Sequence, residues 1–258
     1  MVQLAEVTWT DAREFLERID VGILPMGSTE QHGPVNPLGT DHLVAAAVAR
    51  KVGERTEVPV LPTVPVGISV HHRHFNGTLW VTPQVFTAYV KGIVLAGASQ
   101  GMRKMLIVNG HGGNMNALLE MAGDLRRNEN IFVTVAMAFP MKWMPVNHAG
   151  AAETSVNMYF HKNLVKLDRP VDKKQKRTLG PIPIQGYSNL GPADFAWDTI
   201  DLTDTGVIVP SGSEDLDVSS SSEEKGRKLM EPHIDELCGF VETLKRTELR
   251  ELLSKPMR

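Results

Sequence analysis

Thiol chemistry is almost absent from this chain. Cys238 is the single cysteine among 258 residues, which excludes an internal disulfide, suits a reducing compartment and makes a cytoplasmic location the expectation. Its neighbours Ile234, Leu237 and Val241 mark it as a structural thiol on the apolar face of a helix. No run of about 18 apolar residues exists to span a bilayer. The N-terminal stretch, with Glu6, Asp11 and Arg13, lacks the basic start and apolar core of a secretory signal. Lysine and arginine are scattered and the formal charge is -3, so no basic stripe points to nucleic acid. Neither nucleic acid nor membrane is expected as a partner. Internal repeats are lacking too. Four serines at 219–222, ahead of Glu223 and Glu224, read as a helix cap.

What is present is ample apolar material, 42% of residues, with no composition break, so a single domain over 1–258 is expected. Residues 21–27 form a short apolar run closed by glycine, the pattern of a buried strand. Thr40 and Asp41 precede a helical segment at 42–52. Residues 58–66 read as a second strand, interrupted by Pro59, Pro62 and Pro65. Pro83 opens a helix to 101. Residues 105–109 are apolar without alternation, as a strand covered on both faces should be. A helix at 116–127, a strand at 131–138 and a helix at 153–160 follow. The segment 165–209 shows no clear period, and a final helix is expected over 223–249 with a break near Pro232. This alternation predicts an α/β layer fold with a largely parallel sheet.

Three clusters of oxygen and nitrogen donors sit where strands end or helices begin, the places where such folds bind ligands. They are Glu30-Gln31-His32 with Asp41, the run from Asn109 through His111 to Asn114, and His148 with Glu153. Each residue alone has an ordinary explanation: Asp41 as a helix cap, Asn109 and Asn114 as fixers of loop backbone. Jointly they say more. Glu30 and His32, two apart, share a side of an extended stretch, and the glycines around His111 let backbone approach closely. Carboxylate and imidazole donors without thiolate suit zinc, manganese or iron(II). Two such ions can activate a water for attack on a carbonyl carbon.

At these residues the chain resembles the creatinine amidohydrolase (creatininase) family. The matching motifs are Glu6-Val7-Thr8-Trp9, Gly27-Ser28-Thr29-Glu30-Gln31-His32-Gly33, Thr40-Asp41, Phe75-Asn76-Gly77-Thr78, Asn109-Gly110-His111-Gly112-Gly113-Asn114 and His148-Ala149-Gly150-Ala151-Ala152-Glu153-Thr154-Ser155. The resemblance implies a three-layer α/β/α hydrolase with a largely parallel central sheet and two divalent metal ions per subunit, usually a homo-oligomer. It implies Glu30 and His111 as ligands of one metal, His32 of the other, Asp41 bridging them, and His148 as the catalytic acid/base. The creatinine-cleaving members carry a glutamate ligand where this chain has Gly113. Relatives with the Gly-His-Gly-Gly-Asn version recruit the later glutamate, here Glu153.

Substrate is less legible. Met137-Ala138-Phe139-Pro140 stands where the creatinine-cleaving enzyme has a Tyr-Trp-Asp stretch, and Trp143 is offset. His71, His72, Arg73 and His74 offer polar groups, with His74 the foremost candidate to enter the pocket. His71, His72, His74 and Trp143 are therefore the candidate substrate-binding residues. The expectation is a metal-dependent hydrolase of a small cyclic amide or formamide, with a small polar substrate, polyhydroxylated or phosphorylated. The alternatives are ring opening of a cyclic keto-polyol such as a keto-inositol, and creatinine amidohydrolase itself. A non-enzymatic, metal-stabilised binding protein is disfavoured, because structural sites are coordinatively closed and seldom keep a free imidazole beside them. Part of 165–209, anchored by Tyr187, Phe195 and Trp197, is expected to pack on a neighbouring subunit.

Overall fold

The computed structural model describes residues 3–142, 144, 147–169, 171, 174–185, 189–190, 192–209 and 217–253. Trp143 and Tyr187 lie outside the described residues. After a first helix, α1 (Trp9–Leu16), three parallel strands, β1 (Val21–Met26), β2 (Lys104–Asn109) and β3 (Phe132–Met137), run in the order β1-β2-β3. Their register sets Met26 opposite Asn109 and Asn109 opposite Met137, so all three strands end at one level. Every residue of β1 and β2 is buried, which explains their unbroken apolar sequence.

Residues 58–66 run beside β1 but do not form the expected strand. Only isolated bridges, Val60 to Ile23 and Val64 to Met26, tie the two together. Pro59, Pro62 and Pro65 have no N–H to donate, so a continuous ladder cannot form.

The layers match the expected α/β/α arrangement. On one face α2 (Thr40–Thr56), α5 (Ala151–His161) and α7 (Glu223–Arg246) bury Val44, Val48, Val156, Ile234 and Val241 against the sheet. On the other, α3 (Pro83–Ser99) and α4 (Met115–Asp124) bury Phe86, Val90, Val94, Leu118 and Met121. Cys238 is half-buried at the edge of the first core and free. Pro232 does not break α7. It sits on the exposed side, while Met230, Ile234, Leu237, Val241 and Leu244 hold the other side down. Ser222 caps that helix, accepting from the Lys225 N–H.

Residues 165–209 are not featureless. They contain a small antiparallel sheet of β4 (Thr178–Leu179), β5 (Ile182–Gln185), β6 (Asn189–Leu190) and β7 (Ala193–Asp194), then a one-turn helix, α6 (Thr199–Leu202). Strands of two residues carry no readable period. No helix among the described residues is long and apolar enough to cross a membrane.

Candidate metal centre

The three donor clusters meet above the C-terminal ends of β1 and β2. After β1 the chain loops outward and returns, with Glu30 N–H donating to Leu38 O at 2.9 Å, and so delivers Asp41 to the first turn of α2. The Asn109 side chain grips the backbone of His111: its Nδ2 donates to His111 O (2.7 Å) and its Oδ1 accepts from His111 N–H (3.2 Å). Asn114 Nδ2 ties this loop to Gly27 O at 3.1 Å. The two asparagines thus fix loop backbone, as their ordinary reading had it. Gly110 is required here, since a Cβ on it would fall 2.1 Å from Asp41 O.

Asp41 does not cap its helix. Its Oδ1 lies 3.1 Å from His32 Nε2 and its Oδ2 3.1 Å from His111 Nδ1. Glu30 Oε2 is 3.2 Å from His111 Nδ1, and Glu153 Oε1 is 3.8 Å from His32 Nε2. These residues are all buried. Among the described residues, Glu30 Oε2, His32 Nε2 and Asp41 Oδ2 are buried polar atoms with no hydrogen-bond partner. Unsatisfied buried donors and acceptors are costly, and three of them converging is what cation ligation would resolve. Glu30, Asp41 and His111 form one group able to hold a metal ion; His32, Asp41 and Glu153 form another, with Asp41 common to both. A third combination, Glu30, His32 and His148, is geometrically open as well.

Gly113 cannot supply a ligand, and the structure shows why nothing larger sits there. A Cβ would stand 2.4 Å from His111 Nε2 and 2.6 Å from Ile68 O. Glu153 instead projects from the first turn of α5. Its Oε2 accepts from Ala149 N–H at 2.5 Å, and Ala149 takes a left-handed φ of 60°.

Electrostatics at the centre are strongly coupled. Burial pushes Glu30 up, but His111 and His72 beside it hold its carboxyl well below the usual range. Burial pulls His111 down, yet Glu30 and Asp41 hold the imidazole well above its ordinary value. His32 likewise rises to about 10 against burial, through Asp41 and Glu153. Glu153 is pushed up to about 7 by burial. His148 goes the other way, depressed well below the ordinary value by burial and by His32 and His72. That contrast separates His148, kept neutral, from the two histidines that meet carboxylates.

His148 is sandwiched between the rings of His32 and His72, with centroids 4.4 and 4.5 Å away. Its Nε2 lies 2.7 Å from Gln31 O. A carbonyl oxygen only accepts, which assigns the proton to Nε2 and leaves the lone pair on Nδ1, 3.9 Å from Glu30 Oε1.

A cavity of about 820 Å³ opens over these groups. Glu30, Asp41, His111, His148 and Glu153 line its polar floor, and Met137, Phe139, Met141, Met144, Phe195 and Trp197 its apolar wall. His71 and His72 line it; His74 does not. The expectation for His74 is corrected: its Nε2 faces Asp198 Oδ2 at 3.6 Å with the side chain 38% exposed. The turn at Val70–His72 rotates consecutive side chains to different sides. His71, pushed down to about 3 by burial and His72, is neutral. Phe195 and Trp197 line the chain's own cavity, Trp197 lying edge-on to His71 at 5.1 Å.

Sequence reasoning missed Asp198 and Thr199. Arg73 pairs bidentately with Asp198, both contacts at 2.5 Å, and Thr199 Oγ1 lies 2.6 Å from His72 Nδ1. Both come from a segment without periodic signal. The signal for a role of Gln31 was its place between Glu30 and His32.

The family model described as "Creatininase: Creatinine amidohydrolase" matches residues 5–241. The "Mycofactocin precursor peptide peptidase" of Mycobacterium tuberculosis is 29% identical over 230 residues, 83% of this chain and 81% of that protein. The "3-dehydro-scyllo-inosose hydrolase" of Thermotoga maritima is 26% identical over 76% of this chain and 68% of its own length. A solved structure described as "Creatininase Mn" superposes with a TM-score of 0.76 at 25% identity, covering 95% of this chain and 99% of that one.

Proposed function

The chain belongs to the creatininase family, and on that premise we propose that it is a binuclear metal-dependent hydrolase cleaving the C–N bond of a small cyclic amide or formamide. One observation carries the reading: three partnerless buried donor atoms converge around Asp41, whose two oxygens face different histidines. Glu30, His111 and Asp41 would hold one divalent ion, and His32, Glu153 and Asp41 the other. A manganese-bearing relative of the same fold supports manganese as one of the metals accepted, and zinc and iron(II) suit the same donors. When bound, such a pair supplies Lewis-acid polarisation of a carbonyl and a more acidic water.

The chain's own residues account for the rest. His148, neutral and protonated on Nε2, presents the Nδ1 lone pair beside Glu30 and is the group to take a proton and pass it to the leaving nitrogen. Its ring cannot swing, being held between His32 and His72 and bonded to Gln31 O. The apolar wall excludes water from the flank of the substrate and strengthens the electrostatics of the floor.

A second reading is favoured by the size of the cavity. About 820 Å³ exceeds what a single small ring fills, and the apolar wall suits the flank of a short peptide, as does the likeness to a precursor-peptide peptidase. The deciding experiment assays metal-loaded enzyme in parallel on creatinine, a formamidopyrimidine nucleotide, a short peptide and a cyclic keto-polyol. Formate release supports the first reading and peptide cleavage the second. Selective opening of the keto-polyol refutes C–N cleavage, and efficient creatinine turnover refutes the argument from Phe139 and the lost tryptophan segment.

A further inference from the structure

His72 differs from the polar residues around it. His71 is half-buried and Arg73 and His74 are exposed, whereas His72 is 1% exposed with both ring nitrogens engaged. The proton positions follow from its neighbours. Gln31 Oε1 accepts from Gly33 N–H at 2.9 Å, which fixes the amide and turns its NH₂ inward. Three polar atoms surround that nitrogen: His72 Nδ1 at 2.9 Å, His148 Nε2 at 2.9 Å and Gly206 O at 3.2 Å. His148 Nε2 already carries a proton for Gln31 O. The two amide protons therefore go to Gly206 O and His72 Nδ1. The Thr199 hydroxyl has one proton, and of its two neighbours, His72 Nδ1 at 2.6 Å and the His71 carbonyl at 3.0 Å, the nearer receives it, in line with the Gln31 amide proton on Nδ1. With Nδ1 accepting, the His72 proton sits on Nε2, 3.3 Å from Glu30 Oε1.

We infer that His72 is a positioning residue for Glu30. Its Nε2–H donates to Oε1, which turns the partnerless Oε2 toward His111 and the ion they would share. Thr199, from the segment after the small antiparallel sheet, and Gln31, from the first donor cluster, hold the imidazole in that tautomer. Groups behind a metal ligand in this way fix its orientation and its basicity. The inference rests on Glu30 being a metal ligand, as proposed above.

The test uses the full chain, stripped and reloaded with Mn²⁺, titrated against a chelator to resolve two affinities. His72→Asn keeps an amide near the Nδ1 partners but cannot reach Glu30; it should weaken one ion by about 10–100-fold and leave the other near the wild-type value. His72→Gln places an amide N–H where Nε2 stood and should recover most of the loss. A merely structural role would not give this single-site loss and rescue. Wild-type affinity at both sites in His72→Asn overturns the inference, as does a His72→Gln variant no better than Asn. A crystal structure of the Mn²⁺-loaded wild type gives an independent check that needs no variant: Glu30 should touch the ion through Oε2, with Oε1 on His72. Coordination through Oε1 overturns the inference. A wild-type chain that takes up no ion at all would instead defeat the metal reading itself.

Discussion

His32 Nε2 stands 3.1 Å from Asp41 Oδ1 and still lacks a hydrogen bond. The nitrogen and the carboxylate are side by side, both aimed at the space between them and Glu153. From this follows the first prediction. Metal-depleted protein should take up two divalent ions per chain, measured by elemental analysis, and release protons as it does so, because the ligating imidazoles must be deprotonated. His32 at about 10 and the raised His111 hold protons at neutral pH, so affinity should climb as pH rises. Calorimetry in buffers of different ionisation enthalpy measures the release, and uptake without protons contradicts the site.

The same shifts set the pH dependence of the metal-free fold. His32 rises from 6.5 to about 10 on folding, so its contribution to stability is full below 6.5 and is lost as pH climbs through 10. Glu153 rises from 4.5 to about 7, and its contribution is lost over that lower range. Above pH 6.5 the lowered Glu30, His71 and His148 no longer titrate in either state, and the raised groups run in one direction: from there the melting temperature of metal-free protein should fall with rising pH, and metal-loaded protein should resist the fall. Parallel melting curves of the two forms would contradict this.

His148→Ala should retain both ions while turnover drops about 10²–10⁴-fold, the usual worth of a general acid/base group. Glu153→Gln should weaken one ion. Metal loss in the first variant would place His148 among the ligands; intact binding in the second would remove Glu153 from them.

Neighbouring glycines make a matched pair. Gly113→Ala sets a methyl against the His111 ring, whereas a Cβ at Gly112 meets nothing within 4 Å. Metal affinity should fall in the first variant and stay put in the second, read by chelator competition. Equal behaviour would mean the His111 ring moves freely.

Away from the site, Lys104 Nζ is buried at the start of β2 and donates to the Leu244 and Thr247 carbonyls at 2.8 and 2.9 Å, with Asp20 Oδ1 at 2.9 Å. Lys104→Met would leave the end of α7 unpaired and should cost about 2 kcal/mol in urea unfolding, from the penalty for orphaned buried acceptors. A change in midpoint too small to resolve would show that water reaches those carbonyls.

The strands β1 and β2 were legible because sheet burial on both faces leaves an uninterrupted apolar signature. Residues 58–66 carried that signature too, and only the proline count told against a ladder. Pro232 looked like a helix break because sequence does not say which side of a helix faces water. At the site, Glu30, His32, Asp41, His111 and Glu153 could be picked out by chemistry and position along the chain. His71 and His72 line the cavity while His74, ranked first, does not, because one tight turn decides which of four consecutive polar residues points inward. Asp198 and Thr199 left no trace, since they open a helix of one turn, too short to impose a period on sequence.

The arrangement of donors has a consequence for the order in which the protein is made. Glu30, His32 and Asp41 emerge together, His111 only after β2, and Glu153 only with α5. Neither half of the centre is local. A nascent chain therefore presents carboxylates and a histidine long before the partners that would hold an ion arrive, and the strands that carry them, β1 and β2, pair across that gap. Metal is then a late arrival at a folded pocket, acting as a keystone set into an arch already standing.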